Sequence, residues 1–305
     1  AFATGVSIED GASHIQVQGF LIQRYSGGSG GVSVARSGSR SKGIHVADCE
    51  IRFVAGHAGV GLNYCDDVVV ENCYVHHCPG WTTGVFLSRV NDYVVRDCRL
   101  DKNSGSGIRH YECKRGALRD NAILRHAGMH SSAVNVYEGC ADVVIEGNYI
   151  QRVLTINRNA ENITFRNNVI DGLGESAVTV AMWGSGRTGG RDIKNLQFLN
   201  NTFIRPNPDV GWSSGIFVQG RASAPTGLVI RDNIIAGVRG NFTGTVEGNI
   251  FTQDVNDKAK GKDGLIVKDL NRLFINPGRG DFRRKPGGPA MDVGAKVAPP
   301  EDMPE

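Results

Sequence analysis

An eight-residue pattern recurs ten times along this chain: apolar, any, apolar, any, any, Asn or Cys, any, apolar. It reads IHVADCEI from Ile44, VVVENCYV from Val68, VVIEGNYI from Val143 and ITFRNNVI from Ile163. The sixth positions are Phe20 in the first copy, then Cys49, Cys73, Cys98, Asn121, Asn148, Asn168, Asn201, Asn233 and Asn249. Successive copies lie about 25 residues apart, in the range of stacked repeats. A unit of that length cannot bury its apolar face alone, so each copy must stack on its neighbours. Inside each copy the alternation is that of a strand with one buried face, and no helical spacing of apolar residues competes with it. The 41 glycines and the 7% aromatic content fit many tight turns in an all-β protein. Hydrophobic residues at 40% and charged residues at 21% are an ordinary globular balance and not a disordered one.

Short strands, Gly-rich turns and an Asn at a fixed corner resemble the single-stranded right-handed parallel β-helix, a solenoid here of about ten coils. The resemblance covers roughly residues 13–270. It implies that corner Asn side chains bond to one another from coil to coil, which satisfies polar groups inside the turn. The expected organisation is a β-helix over 1–273 and a capping segment and tail over 274–305, where FINPGRGDFRRKPGGPAMDVGA leaves the repeat. That segment resembles the C-terminal closing region of bacterial β-helix proteins that act on polysaccharides. The chain opens abruptly at AFATGVSIED, which is compatible with a leader or N-terminal cap upstream.

The seven cysteines form no CxxC pair, so a zinc or thioredoxin-type reading is weak. Cys49, Cys73 and Cys98 take the Asn corner, and Cys65, Cys113 and Cys140 form a second column. They are expected as small buried hydrophobes, with one oxidised pair sterically allowed between stacked coils.

A second strand follows each corner, in rows such as GVGLNY from Gly59, GVFLSR from Gly84, GIRHYE from Gly107, AVNVYE from Ala133, VLTINR from Val153 and AVTVAM from Ala177. The second and fourth letters point inward and are aliphatic except His110, which is expected as a buried, hydrogen-bonded core histidine. The outward columns read Gly61, Phe86, Arg109, Asn135, Thr155, Thr179 and Asn63, Ser88, Tyr111, Tyr137, Asn157, Ala181. At the strand ends stand Tyr64, Arg89, Glu112, Glu138, Arg158 and Met182. Arg, Tyr, Asn and Glu thus concentrate on one face, whereas a scaffold needing only solubility would scatter them.

Arg109 beside Asn135, Tyr111 and Tyr137 suggests a clamp for a carboxylate or hydroxyl. Glu112 above Glu138 has three readings: a charge ladder with Arg89 and Arg158, a Ca²⁺ site, or an acid/base pair. The turns add His76, His77, Lys102, His126 and His130, of which His130 can lean over the same face. Trp183 and Trp212 lie on the insertions 183–192 and 205–215, and Trp is a natural sugar-stacking surface.

β-Helix proteins with such a groove are mostly polysaccharide lyases, glycoside hydrolases and epimerases, and GIRHYE loosely resembles the Arg-His strand of alginate and chondroitin lyases, with Arg89 where those families place Lys. The resemblance implies a polysaccharide lyase cleaving an anionic, uronate-containing polymer. Its catalytic candidates are Arg109, Tyr111, Tyr137, His130 and Arg89. Its substrate-binding candidates are Asn135, Asn63, Asn157, Arg158, Lys102, His126, Trp183 and Trp212. Ca²⁺ at Glu112 and Glu138 is the one cofactor suggested, and none is required. The alternatives are a glycoside hydrolase using Glu112 and Glu138, with Asp101, Asp171 or Glu175 as further carboxylates, and a tailspike-like or adhesin-like glycan binder without catalysis. A net charge of +3 suits an anionic polymer. No nucleic-acid partner and no membrane span are expected, and the expected state is a secreted or periplasmic monomer.

Overall fold

The computed structural model describes residues 4–24, 26, 28–34, 38–126, 132–183, 193–211, 213–219, 224–298 and 300. It is an all-β parallel β-helix, and it divides into two compact units, residues 1–143 and 144–305. Each coil carries three strands, where the sequence pattern suggested two. The eight-residue pattern itself holds two of them. Its first four letters end a strand of one sheet, and its last two begin a three-residue strand of another.

In the first unit, sheet I contains Val6–Ile8, Gly30–Val34, Ala58–Asn63, Thr83–Ser88, Ile108–Tyr111 and Val134–Val136. Sheet II contains Ser13–Gln18, Ser41–Ala47, Cys65–Glu71, Asn91–Arg96 and Lys114–Arg119, and sheet III contains Leu21–Gln23, Glu50–Arg52, Tyr74–His76, Arg99–Asp101 and Ala122–Leu124. Parallel strands stack in register. Phe86 pairs with Gly61 on one side and Arg109 on the other, and Arg109 pairs with Asn135.

Left-handed backbone makes the corners. The residue before each corner Cys or Asn has positive φ: Asp48, Asn72, Asp97 and Asp120 in this unit, Asn167, Asn200 and Asp232 in the other. Asn and Asp tolerate that region because their short polar side chains bond locally. The strands of sheet I end the same way, at Tyr64 (φ 53°), Arg89 (φ 55°) and Glu112 (φ 52°). These are bulky residues for which such a conformation is costly.

The core is aliphatic with one local exchange of volume. Tyr93 is fully buried, and the next coil answers it with Gly116, where an added Cβ would stand 2.0 Å from the Tyr93 ring. His110 lies inside as expected and is wholly buried, edge-on to Tyr93 with ring centroids 5.5 Å apart. It is not hydrogen-bonded, however: neither ring nitrogen has a partner among the described residues. The seven cysteines are all buried free thiols. The Cys140 thiol is pushed well above its usual range by the hydrogen bond it shares with Cys113 and by burial.

The second unit repeats the three-sheet plan. Its sheet I strands are Leu154–Asn157, Val178–Trp183, Ser214–Val218 and Val238–Gly240. Leu154 pairs with Val180 and Asn157 with Trp183. The sequence alignment of rows, which placed Asn157 beside Ala181, is therefore out by two residues. Met182 turns inward and is fully buried. Phe165 and Phe198 stack in this core with centroids 4.9 Å apart. The segment after 273 forms a small antiparallel hairpin, Phe274–Asn276 with Asp281–Arg284. It then runs back along the coils: Gly294 N–H donates to the Asp232 carbonyl, Ala295 N–H to Thr202 Oγ1, and Lys296 N–H to Asn167 Oδ1.

Candidate functional site

The outward face of sheet I in the first unit brings together most of the residues singled out by sequence. Arg109 lies beside Phe86 and Asn135 in register, and its guanidinium carbon stands 4.9 Å from the centre of the Tyr137 ring and 6.0 Å from that of Phe86. Aromatic faces attract a cation without neutralising it. Arg109 has no ion-pair partner among the described residues, and its Nε is buried without a hydrogen bond. Tyr111 and Tyr137 lean together, centroids 5.8 Å apart and rings inclined by 31°. Asn63, Ser88 and Tyr111 form the neighbouring column.

A groove of about 440 Å³ opens on this face, lined by His57, Asn63, Phe86, Ser88, Arg89 and Tyr111. His57 was not visible as a candidate in the sequence. It sits in the turn before the strand Ala58–Asn63, outside every repeating column, and meets the Phe86 ring edge-on at 4.4 Å. One side of its imidazole stays open to solvent. The packing of the other side, with the positive charge of Arg109 added, lowers its pKa below the ordinary histidine value, so the ring is neutral at pH 7.

Arg89 and Glu112 project from the left-handed corners at the end of this face. Arg89 Nε donates to Glu112 Oε2 at 2.5 Å, and the Arg89 guanidinium covers both Tyr64 (5.3 Å) and Tyr111 (5.9 Å). The charge of Glu112 raises the Tyr111 pKa, which keeps the phenol protonated. The nearby positive charge of Arg89 acts in the opposite direction and is outweighed. The backbone N–H of Glu112 donates to the Glu138 carbonyl at 2.8 Å, so the two glutamates follow in register as anticipated. As a Ca²⁺ site the pair fits poorly. Two carboxylates supply too few oxygens for a cation that takes six to eight, and Arg89 already engages Glu112. Among the described residues no group of three or more metal-binding side chains exists.

Other candidates fall elsewhere. His126, expected in a surface turn over this face, is buried, with Nε2 3.2 Å from the Leu100 carbonyl oxygen. The reason is Gly107, whose missing side chain leaves the space: a Cβ there would stand 2.8 Å from His126 Nε2. Lys102 is exposed at the left-handed turn that follows sheet III and does not line this groove. His76 and His77 bond to each other at 2.7 Å, with His76 also held by Glu50, at the end of a sheet III strand. Asn157, Arg158 and Trp183 are half-buried residues of the second unit, where Trp183 meets Phe217 edge-on at 6.5 Å. His130 and Trp212 lie outside the described residues. The extra carboxylates considered for hydrolysis are held by guanidinium groups: Asp101 by Arg125, Asp171 by Arg205 and Glu175 by Arg152.

The family model for the right handed beta helix region matches residues 4–203. No curated protein matches the sequence. Among solved structures, the alginate lyase from Paenibacillus sp. str. FPU-7 is similar over 85% of this chain and 91% of its own, at 13% identity and a TM-score of 0.48. The enzymatically active domain of bacteriophage CBA120 tailspike protein 2 matches over 75% of this chain and 42% of its own, at 15% identity and TM-score 0.45. The Azotobacter vinelandii mannuronan C-5 epimerase AlgE4 A-module matches over 85% and 83%, at 14% identity and TM-score 0.40.

Proposed function

This chain belongs to the right-handed β-helix family, and from the chemistry carried on the outward face of its first unit we propose that it is a polysaccharide lyase acting on an anionic, uronate-containing polymer outside the cytoplasm. One observation carries the reading. Arg109 is a guanidinium seated on Tyr137 and Phe86 with no carboxylate of its own among the described residues, so it is a cation prepared for an external anion.

β-Elimination needs three things, and we assign them to His57 and Tyr111, which line the groove, and to Arg109, in register with the groove residue Phe86. Arg109 neutralises the uronate carboxylate, which makes the C5 proton more acidic. His57, neutral at pH 7, accepts that proton. The electron pair forms the C4–C5 double bond as the C4–O4 bond breaks, and the Tyr111 phenol, kept protonated by Glu112, gives its proton to the departing oxygen. Asn63 and Ser88 line the same groove and offer hydrogen bonds to sugar hydroxyls. The paired carboxylates of the hydrolase alternative are less suited, because Glu112 is committed to Arg89.

The test is a panel of alginate, pectate, glycosaminoglycans and neutral glucans. A rise near 235 nm on a polyuronate is expected, and Arg109→Ala should lower kcat/KM by about a hundredfold or more, in the range for loss of one charge-stabilising donor. New reducing ends without that absorbance would make the protein a hydrolase. Binding with no product would make it a glycan-binding protein. Full activity in an Arg109→Ala, Tyr111→Phe double variant would sink the site assignment.

A further inference from the structure

A second cleft of about 470 Å³ lies in the first unit, lined by Arg40, Arg89, Asn91, Glu112, Lys114, Arg115 and Gly139. It shares Arg89 with the groove just described. Four of its lining side chains are cationic, yet three are already neutralised. Arg40 forks onto Asp66 at 2.7 and 2.8 Å, Arg89 holds Glu112, and Arg115 forks onto Asp92 at 2.7 and 2.8 Å. Arg40 also donates to the carbonyls of Cys65 and Arg89, which fixes it in the cleft wall. Lys114 is the exception. It is exposed, it heads the strand Lys114–Arg119 in register with Asn91, and it makes no ion pair among the described residues. After the pairs cancel, one positive charge remains, on a flexible ammonium within a wall of fixed hydrogen-bonding groups.

We propose that this cleft is a subsite for a second anionic substituent of the polymer, a carboxylate or a sulfate ester, held by Lys114 while Arg109 holds the carboxylate of the reacting residue. The proposal rests on the lyase reading and sharpens its substrate class. The two cationic poles are five residues apart in sequence, at most about 16 Å of extended chain and less with the left-handed turn at Glu112. A glycan engaging both must carry negative charge again within a few sugars of the cleavage point. A polymer with isolated uronates among long neutral stretches would satisfy Arg109 alone. The single uncompensated charge also sets the stoichiometry: one monoanionic group per cleft, with the surrounding forks too committed to accept a second.

The test is calorimetric binding to the wild-type protein and to Lys114→Glu, with circular dichroism as the folding control for this exposed site. The ligands are a mannuronate hexamer, a carrageenan hexasaccharide bearing sulfate but no carboxylate, and a neutral glucan hexamer. At low salt the substitution should weaken at least one anionic hexamer about tenfold, and the difference should shrink at high salt. Loss confined to mannuronate identifies a carboxylate, and loss confined to carrageenan identifies a sulfate. Unchanged affinity for both anionic hexamers overturns the proposal, as does a neutral hexamer that binds as tightly as they do. Absorbance at 235 nm with the wild-type protein is read separately. Its absence on every polyuronate defeats the lyase reading, whatever Lys114 does.

Discussion

The two units solve the same corner in different ways. In the second unit Asn148, Asn168, Asn201, Asn233 and Asn249 form a ladder. Each Nδ2 but that of Asn249 donates to the next Oδ1 at 2.9–3.0 Å, and that oxygen also accepts the backbone N–H of the preceding Asn at 2.8–3.0 Å. In the first unit the same place is taken by Cys49, Cys73 and Cys98. The Cys73 and Cys98 thiols reach the carbonyls of Val46 and Val70 at 3.7 and 3.8 Å. Asn168 and Asn201 serve the corresponding carbonyls, those of Ile145 and Phe165, at 2.8 and 2.9 Å. A thiol can replace the donor half of Asn, weakly, and cannot replace the acceptor half. The cores differ in the same sense. Inward positions of sheet I are aliphatic in the second unit, apart from Met182 and Ser214, whereas the first places His110 between Leu87 and Val136. The unit with the weaker corners and the unpartnered core imidazole is also the one that carries the groove, in keeping with the idea that functional regions hold the compromises that the rest of a fold avoids.

Acid should break the comparison most widely. Burial depresses the His110 pKa to about 3, from an ordinary 6.5. The folded value lies below the unfolded one, so the unfolded chain takes up the proton first. Stability is therefore whole above pH 6.5 and lost as pH falls toward 3, by up to about 5 kcal/mol from this residue. Hydrogen exchange at pH 4 should show protection falling in residues 4–126 before residues 144–298. His110→Leu should remove most of that asymmetry. It should also stabilise the protein by about 1–3 kcal/mol at pH 7, since two unpartnered ring nitrogens disappear. An unchanged acid midpoint in His110→Leu would contradict the assignment.

The ladder gives the next effect in size. Asn201 accepts from the Asn168 backbone and side chain and donates to Asn233 and Phe165. Asn201→Ala removes four buried bonds, although Asn233 Oδ1 keeps the residue 201 backbone N–H and Asn168 Nδ2 keeps the Ile145 carbonyl, and at about 1 kcal/mol per bond it should cost about 4 kcal/mol. Cys73→Ala removes two weak thiol contacts and a small volume, and should cost about 1–2 kcal/mol. Chemical denaturation of the two variants side by side measures the gap. Equal losses would mean that the corner chemistry does not set the difference between the units.

Much of this was legible in the sequence, and what was missed has physical causes. The ten copies carry the strand register of sheet II and the outward columns of sheet I because apolar alternation is enforced by burial at every coil. The third sheet was hidden because its strands, such as Tyr74–His76, are too short to show a period. Arg109, Asn135, Tyr111 and Tyr137 were found together because they occupy repeating columns. His57 was missed because it occupies none, and only its place before a Gly-rich strand in AGHAGV marks it. His126 was misplaced because its direction is decided by the absence of a side chain at Gly107, a long-range complement that spacing does not reveal. The row register of Val178–Trp183 failed because Val178, Val180 and Met182 are all apolar, so a slip of two residues leaves the alternation unchanged.

The smallest effect expected sharpens the comparison most, because it builds rather than deletes. Cys98 lies directly next to the first corner asparagine, and its backbone N–H already donates to Asn121 Oδ1 at 3.0 Å. Asn121 Nδ2 in turn donates to the Val95 carbonyl at 3.0 Å, as ladder members do in the second unit. In Cys98→Asn the new Nδ2 should join the same Asn121 oxygen and reach the Val70 carbonyl that the thiol now meets at 3.8 Å, while the new Oδ1 faces the Cys73 backbone N–H. Each neutral bond contributes about 1 kcal/mol, and the desolvation of an amide offsets part of it. A net gain of about 1 kcal/mol, roughly two degrees in Tm for a chain of this size, is the expected outcome. Cys98→Ser controls for size, since a hydroxyl is too short to span to the next coil. If Cys98→Asn is no more stable than Cys98→Ser, the first unit's corners differ from the second's in backbone geometry as well as in side chain, and replacing the residue is not enough to extend the ladder.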